Sequence, residues 1–132
     1  MKGVSVRIAT EDDYGGIAGL MEELFPRKAM NAGTGDVYFV AEACGAIVGF
    51  AHIVLRGEKA VLQGIGVTEE LRRKGIGALL LESAIAYCRE IGQSDVCLKV
   101  KALNPAARLY AKKGFFVMQF GDVCSMTKKE AT

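Results

Sequence analysis

The fold is decided by residues 61–91, VLQGIGVTEELRRKGIGALLLESAIAYCREI. The run Val61–Val67 is apolar and has the length of a buried strand. After the polar loop Thr68-Glu69-Glu70, one helix face recurs at intervals of three and four residues and ends at Gly92. This face comprises Ile76, Leu79, Leu80, Ser83, Ala84, Tyr87, Cys88 and Ile91. The stretch therefore predicts a strand, a loop and an amphipathic helix in succession.

Between the strand and the helix lies Arg72-Arg73-Lys74-Gly75-Ile76-Gly77. Backbone amides at a helix start have no partner within the helix and bind phosphate readily. Gly75 and Gly77 lack a Cβ, so an anion can approach the main chain, and the three cations supply matching charge. We interpret Arg72–Ala78 as a phosphate cradle. The alternative is a solvated basic loop before a buried helix.

Two other phosphate motifs do not match the cradle. A P-loop ends in glycine, lysine and a serine or threonine, and that ending is absent. A dinucleotide-binding turn needs a third glycine and follows its strand directly, whereas three cations intervene here. Both of these classes of nucleotide site are therefore excluded.

The pattern Arg72-x-x-Gly75-x-Gly77 resembles the Gln/Arg-x-x-Gly-x-Gly/Ala motif of the GNAT superfamily of acyl-CoA-dependent N-acetyltransferases. A second segment, NPAARLY at residues 104–110 followed by Lys113-Gly114-Phe115, is similar to the second cofactor segment of that family. The resemblance covers residues 60–118. It implies transfer of an acetyl group from acetyl-CoA to a primary amine, by direct attack in a ternary complex without an acyl-enzyme.

The resemblance also implies roles for individual residues. A bulge in the Val61–Val67 strand would present an amide to the thioester carbonyl, and we place it at Ile65, Gly66 and Val67. The cradle residues Arg72, Arg73, Lys74, Gly75, Ile76, Gly77 and Ala78 would bind the pyrophosphate. Asn104 would cap a helix and contact the cofactor.

Tyr110 is the predicted catalytic proton donor. A helix from Pro105 puts Tyr110 on one face with Ala106 and Ala107, whose small side chains leave room for a sulfur atom. A phenol can protonate a departing thiolate when it is well positioned. The alternative for Tyr110 is ordinary packing on the sheet.

The general base is not identified by the sequence. Relatives often carry a glutamate on one of the two splayed strands, but Lys99 stands at that position and Val61–Val67 has no acid. The amine could lose its proton through water held by Gln63 or carbonyl groups, with Glu22 or Glu23 nearby, or the acceptor could be an α-amino group of low pKa. His52 is interpreted as a packed residue of an apolar strand.

The remaining elements predict a mixed, mostly antiparallel α/β (α+β) sheet of six to seven strands with three to four helices. Strands are predicted at Val4–Ala9, Val37–Ala43, Ile47–Leu55, Asp95–Lys101, Phe115–Phe120 and Val123–Lys128. The crossover helix makes Val61–Val67 and Asp95–Lys101 parallel. Thr10 and Asp13 cap a first helix that ends at Pro26, and residues 26–36 connect it to the next strand beside the site.

Composition agrees with a single domain spanning residues 1–132. Apolar residues make up 51 % and the net charge is +2, too small to indicate a nucleic-acid partner. No apolar run has the length of a membrane span or a signal segment, so a cytoplasmic protein is expected. The four cysteines form no Cys-x-x-Cys pair and there is one histidine, so no metal site is expected and the cysteines are interpreted as reduced, mostly buried residues.

Three further expectations concern partners. The acceptor is expected to be a small amine or a protein N-terminus. A homodimer is a hypothesis in which hairpin strands pair across subunits. The alternative function is an acyl-CoA-binding sensor or regulatory module without turnover, for which the missing acid is the support.

Overall fold

The computed structural model describes residues 3–27, 29–57, 59–93, 95–101, 116–119 and 123–129. Its strands are β1 (Val4–Ile8), β2 (Asp36–Ala43), β3 (Ala46–Arg56), β4 (Lys59–Val67), β5 (Asp95–Lys101), β6 (Phe116–Gln119) and β7 (Val123–Lys129). Its helices are α1 (Tyr14–Leu24) and α2 (Ile76–Glu90), with short 3-10 turns at Glu11–Asp13 and Glu69–Leu71. The helix predicted from Asn104, together with Ala107 and Tyr110, lies outside the described residues.

The seven strands form one mixed sheet in the order β1-β2-β3-β4-β5-β7-β6. Every neighbouring pair is antiparallel except β4 and β5, which are joined by the crossover helix α2. The predicted fold class and the parallel β4–β5 pair are therefore confirmed. The sequence predicts three to four helices, and the described part of the chain contains two α-helices, α1 and α2.

β4 and β5 separate part of the way along their length. Their parallel pairing runs from Lys59 opposite Asp95 to Leu62 opposite Leu98, although β4 continues to Val67 and β5 to Lys101. Among the described residues, the end of β4 from Gln63 onward pairs only with β3. A wedge therefore opens between the two strands, as the sequence predicted.

The irregularity of β4 lies earlier than predicted. Gly64 is opposite His52 and Leu62 is opposite Ile53, so Gln63 is the extra residue between them. The family resemblance implies a bulge at Ile65, Gly66 and Val67, but these residues keep an uninterrupted register with Ala51, Phe50 and Gly49. The reason is that the strand is distorted where its parallel partner leaves it, immediately after Leu62.

The two faces of the sheet carry different cores because strand side chains alternate. On one face Phe39, Ala41, Ala51 and Ile53 are buried under α2, together with Leu80 and other residues of that helix. On the other face Tyr38, Val40 and Phe50 pack with Ile17, Leu20 and Met21 of α1. The helices therefore cover opposite sides of the β2–β3 hairpin.

The described cysteines differ in how deeply they are buried. Cys88 of α2 is 1 % exposed, and burial raises the pKa of its thiol to about 11. Cys44 is exposed at the β2–β3 turn, where its φ is 53°. The prediction of mostly buried thiols holds for Cys88, whereas Cys44 is exposed and Cys97 is intermediate.

Candidate active site

The phosphate cradle has the backbone of an anion-binding turn. Arg73 and Gly75 have φ values of 65° and 86°, in the left-handed region. Gly75 is the N-cap of α2, and it has no side chain with which to cap the helix amides. The left-handed turn therefore leads into α2, and its N-cap residue makes no side-chain hydrogen bond to the first amides of the helix.

The first helix amides of α2 precede its hydrogen-bond ladder. The Leu79 amide donates to the Gly75 carbonyl at 3.1 Å, which closes the first turn. The amides of Ile76, Gly77 and Ala78 come before that bond and project from the positive end of the helix dipole. These groups are suited to bind the oxygens of a phosphate or diphosphate.

Three exposed cations precede these amides, and one of them also holds the cradle to the sheet. Arg72, Arg73 and Lys74 are all exposed. Arg72 Nε donates to the Val67 carbonyl at 3.1 Å, and the Thr68 amide donates to the Val48 carbonyl at 2.9 Å. The cradle is therefore fixed to the open end of β4.

The open end of β4 lies against the C-terminal end of α1. A Cβ at Gly66 would come within 2.8 Å of Phe50, 2.9 Å of Leu24 and 3.0 Å of Phe25. A side chain at position 66 would push the ends of these three side chains aside, because they pack directly against the backbone. Ile65, Gly66 and Val67 thus connect the cradle with the α1 face of the sheet.

A cavity of about 490 Å³ lies on the α1 face. Met21, Phe25, Phe50 and Val54 contribute its apolar wall, and Gln63 and Gly64 border it at the wedge. Ala29 and Asn31 also line it, so the connection between α1 and β2 lies beside the site, as predicted. From Gly64 to Val67 the chain rises about 10 Å at roughly 3.3 Å per residue, so the cavity and the cradle lie at the two ends of one strand segment.

The polar part of the cavity is built by Asp36 of β2 and His52 of β3. His52 Nε2 lies 2.7 Å from Asp36 Oδ1, and the two side chains are only 8 % and 13 % exposed. The Gly33 amide donates to Asp36 Oδ2 at 2.8 Å. Both carboxylate oxygens of Asp36 are therefore held in place.

Asp36 is favoured in its ionised form. Burial by itself raises the pKa of this carboxyl, but the Gly33 amide, the His52 ring and the charge of Arg56 outweigh burial, and the pKa lies below its usual value. Since an ionised carboxylate can only accept hydrogen bonds, His52 Nε2 donates in the contact with Asp36.

Tyr38 fixes the His52 ring from one side. The two rings stack with centroids 4.2 Å apart and planes 8° from parallel. The Tyr38 hydroxyl donates to the Asn31 carbonyl at 2.7 Å. Burial raises the pKa of Tyr38 to about 12, so its phenol stays neutral at physiological pH.

The structure brings some predicted residues together and leaves others undescribed. The cradle residues and the segment Ile65–Val67 lie along one path from α2 to the wedge. Asn104, Ala107 and Tyr110 lie outside the described residues. Among the alternatives for the base, Gln63 lines the cavity, whereas Glu22 and Glu23 are exposed on α1 and do not line it.

Sequence reasoning missed Asp36 and interpreted His52 as a packed residue. Their contact spans 16 residues and depends on the β2–β3 register, in which Tyr38 is opposite His52 and Asp36 is opposite Val54. No local signal could have found the pair, because a hairpin continued without interruption from its Cys44-Gly45 turn would put Asp36 and His52 on opposite faces. The register shift between Ala41 and Glu42, where Val48 is the extra residue, brings the two side chains to the same face.

Comparison with known proteins adds a family match. The model of the acetyltransferase (GNAT) domain matches residues 34–117. An N-alpha-acetyltransferase of Sulfurisphaera tokodaii is 33 % identical over 92 residues, which cover 59 % of this chain and 55 % of that protein. The chain spans about half the length of the curated relatives it matches.

Solved structures share the fold at low sequence identity. The ribosomal-protein-S18-alanine N-acetyltransferase of Escherichia coli superimposes with a TM-score of 0.84 at 20 % identity, over 98 % of this chain and 95 % of that chain. The PaiA N-acetyltransferase of Thermoplasma acidophilum, solved in complex with coenzyme A, gives a TM-score of 0.79 at 18 % identity, over 96 % and 99 %.

Proposed function

This chain belongs to the GNAT family of acetyltransferases, and on that premise we propose that it transfers the acetyl group of acetyl-CoA to a primary amine. The observation that carries the proposal is the continuous path from the cradle, along the open end of β4, to the cavity. A diphosphate fits one end of this path and an acceptor fits the other.

The residues of the cradle fit the diphosphate of coenzyme A. The amides of Ile76, Gly77 and Ala78 and the exposed charges of Arg72, Arg73 and Lys74 would hold its oxygens. Asn104 and Ala107 belong to the proposed cofactor site on the strength of the resemblance. The extended amide-rich arm of the cofactor would enter the wedge, where β4 has lost its pairing with β5.

Acetyl-CoA supplies an activated acetyl group as a thioester. The chain would bind it at the cradle, and a main-chain amide at the irregularity around Gln63, where β4 has left β5, would lie near the place where the thioester oxygen becomes negative. Tyr110 would give a proton to the departing thiolate. A neutral amine in the cavity attacks directly, in a ternary complex.

The acceptor is proposed to be a small amine or a protein N-terminus. Two curated relatives support this acceptor class by their names, an N-alpha-acetyltransferase and a putative ribosomal protein bS18-alanine N-acetyltransferase. The cavity of about 490 Å³ has room for one amine-bearing residue or a small molecule, with apolar walls at Met21, Phe25 and Phe50.

A cytoplasmic, single-domain protein that binds neither nucleic acid nor membrane, and that can form a homodimer, completes the proposal. The modest net charge of +2 supports the absence of a nucleic-acid partner. Within the described residues, no helix is both long enough and apolar enough to cross a bilayer.

The test is release of free thiol from acetyl-CoA in the presence of a panel of small amines and short peptides. Turnover with an amine supports the proposal. Binding of coenzyme A without turnover by any acceptor would replace it with the sensor function, and absence of binding would overturn both.

A substitution at Tyr110 tests the proton donor. Tyr110→Phe should lower turnover while leaving the affinity for coenzyme A, measured by calorimetry, close to that of the wild type, because the ring is kept and the proton is lost. Unchanged turnover would remove Tyr110 from the mechanism.

A further inference from the structure

The polar end of the cavity lies next to the place where the thioester would arrive. His52 of β3 is directly opposite Gly64 of β4, the residue that follows the irregularity at Gln63. Neighbouring strands lie about 4.8 Å apart. His52 is therefore one strand away from the wedge.

Asp36 lies behind His52 as seen from the wedge. It belongs to β2, two strands from β4, and it is level with Val54 rather than with His52. Its Oδ1 nevertheless contacts His52 Nε2 at 2.7 Å, and the Gly33 amide holds its other oxygen. His52 thus lines the cavity one strand from the wedge, and its ring contacts a fixed carboxylate on the side of β2.

The groups around His52 can stabilise the positive charge that forms when its ring takes a proton. A carboxylate next to an imidazole stabilises its cationic form and orients the ring. The Tyr38 ring, stacked at 4.2 Å, offers its face to the same cation and restricts the motion of the ring. The Tyr38–Asn31 hydrogen bond connects this support to the segment that lines the cavity.

The rest of the described cavity contains no comparable group. β4 contains no acidic residue in its sequence Lys59–Val67, and of the described residues that line the cavity Asp36 is the acid. Asp95 of β5 is opposite Lys59, at the paired end of the strands, away from the wedge. Glu22 and Glu23 project from α1 without lining the cavity.

We propose that His52, oriented by Asp36, is the general base that removes a proton from the acceptor amine. This inference rests on the proposed acetyl transfer. The ammonium group gives one proton to Nδ1 of the imidazole, because Nε2 donates to Asp36, and the resulting imidazolium lies against the Asp36 carboxylate. The neutral nitrogen then forms the C–N bond, the C–S bond breaks, and the second nitrogen proton ends on the thiolate. His52 afterwards releases its proton to solvent.

The pH dependence of this step has an identifiable origin. The described titratable and charged groups around the pair are Tyr38 of β2, Arg56 of β3 and Tyr14 of α1, in addition to Asp36 itself. Arg56 is positive and Tyr38 is neutral throughout the physiological range. An acid limb of turnover between about pH 5 and 8 would therefore report the imidazole.

The experiment measures the pH profile of kcat/KM for the wild type and for His52→Gln, Asp36→Asn and Glu23→Gln, with coenzyme A affinity measured for each. In His52→Gln we expect turnover at neutral pH to fall about 100-fold and the acid limb to disappear. In Asp36→Asn the limb should move to lower pH by about one unit, because the imidazolium loses its nearby anion. Glu23→Gln is the matched control, and it should leave the profile unchanged.

The outcomes separate a chemical role from a structural one. If His52→Gln keeps the acid limb, or Asp36→Asn leaves it in place, His52 is not the base, whatever happens to the melting temperature. If the wild type shows no turnover, the proposed function fails and this inference fails with it. If the wild type turns over but the His52 and Asp36 variants have the same pH profile as the wild type, the inference is wrong and the proposed function stands.

Discussion

The two faces of the sheet are built differently. The α2 face is covered by an apolar cluster in which Leu80 and Leu81 are completely buried. The α1 face has a smaller cluster and, beside it, a cavity that contains the buried pair Asp36 and His52. The two sides of the sheet therefore differ in packing. α2 lies over a filled core and starts at the cradle, whereas the α1 face contains a cavity, which the proposed function assigns to the acceptor.

The largest expected effect tests the packing of the α2 face. Leu80 is 0 % exposed, so Leu80→Ala should lower the free energy of unfolding by about 3 to 4 kcal/mol, since it leaves a void in a filled core. Met21→Ala on the α1 face should cost less, because Met21 already borders a cavity. Urea denaturation measures both, and equal losses would contradict the comparison.

The next effect separates binding by α2 from its packing. Gly77→Glu places a negative charge and a side chain among the first amides of α2, so coenzyme A affinity should fall at least about 100-fold, or about 2.7 kcal/mol. Gly77 is only half-buried within the helix, so the melting temperature should change little. Calorimetry measures the affinity, and normal binding would show that the cradle assignment is wrong.

A smaller effect tests the close packing at the wedge. Gly66→Ala should cost about 1 to 2 kcal/mol of stability, because its Cβ would lie within 3.0 Å of Phe50, Leu24 and Phe25. Gly19→Ala in α1 is the matched control, since its Cβ would meet nothing within 4 Å. It should stabilise the helix by roughly 0.5 to 1 kcal/mol. Thermal unfolding of the two variants should shift in opposite directions, and a shift in the same direction would contradict this interpretation.

The smallest effect concerns the start of α1. Asp13 accepts hydrogen bonds from Arg7 at 2.7 and 2.8 Å and from the Thr10 amide at 2.8 Å. Arg7 first, and the Thr10 amide second, hold the pKa of Asp13 well below its ordinary value. The stabilisation is therefore complete above the unfolded pKa of about 3.9, and it is lost as the pH falls below that value.

Asp13→Asn should accordingly cost about 1 kcal/mol at pH 7 and progressively less below about pH 4. Urea midpoints at pH 7 and pH 3 measure the difference between the variant and the wild type. A difference that does not depend on pH would show that the charge of Asp13 does not contribute to stability.

Much of the fold could be predicted because its signals are local. The apolar periodicity of α2, the Gly92 stop and the alternation in the strands each depend on residues within one or two turns of chain. The parallel β4–β5 pair followed from the crossover helix. The bulge of β4 lies at Gln63 and not at Ile65–Val67, because its position depends on where β5 leaves β4, and no local sequence pattern encodes that point.

By itself, the sequence determined the make-up of the proposed cradle, because its two glycines and three cations lie together in Arg72–Gly77 at a helix start. It also determined the order of the elements. Only the tertiary structure decided the cavity and the pairing of Asp36 with His52, which are 16 residues apart. The physical reason is register: a shift of one residue in the β2–β3 hairpin would turn one member of the pair to the opposite face of the sheet.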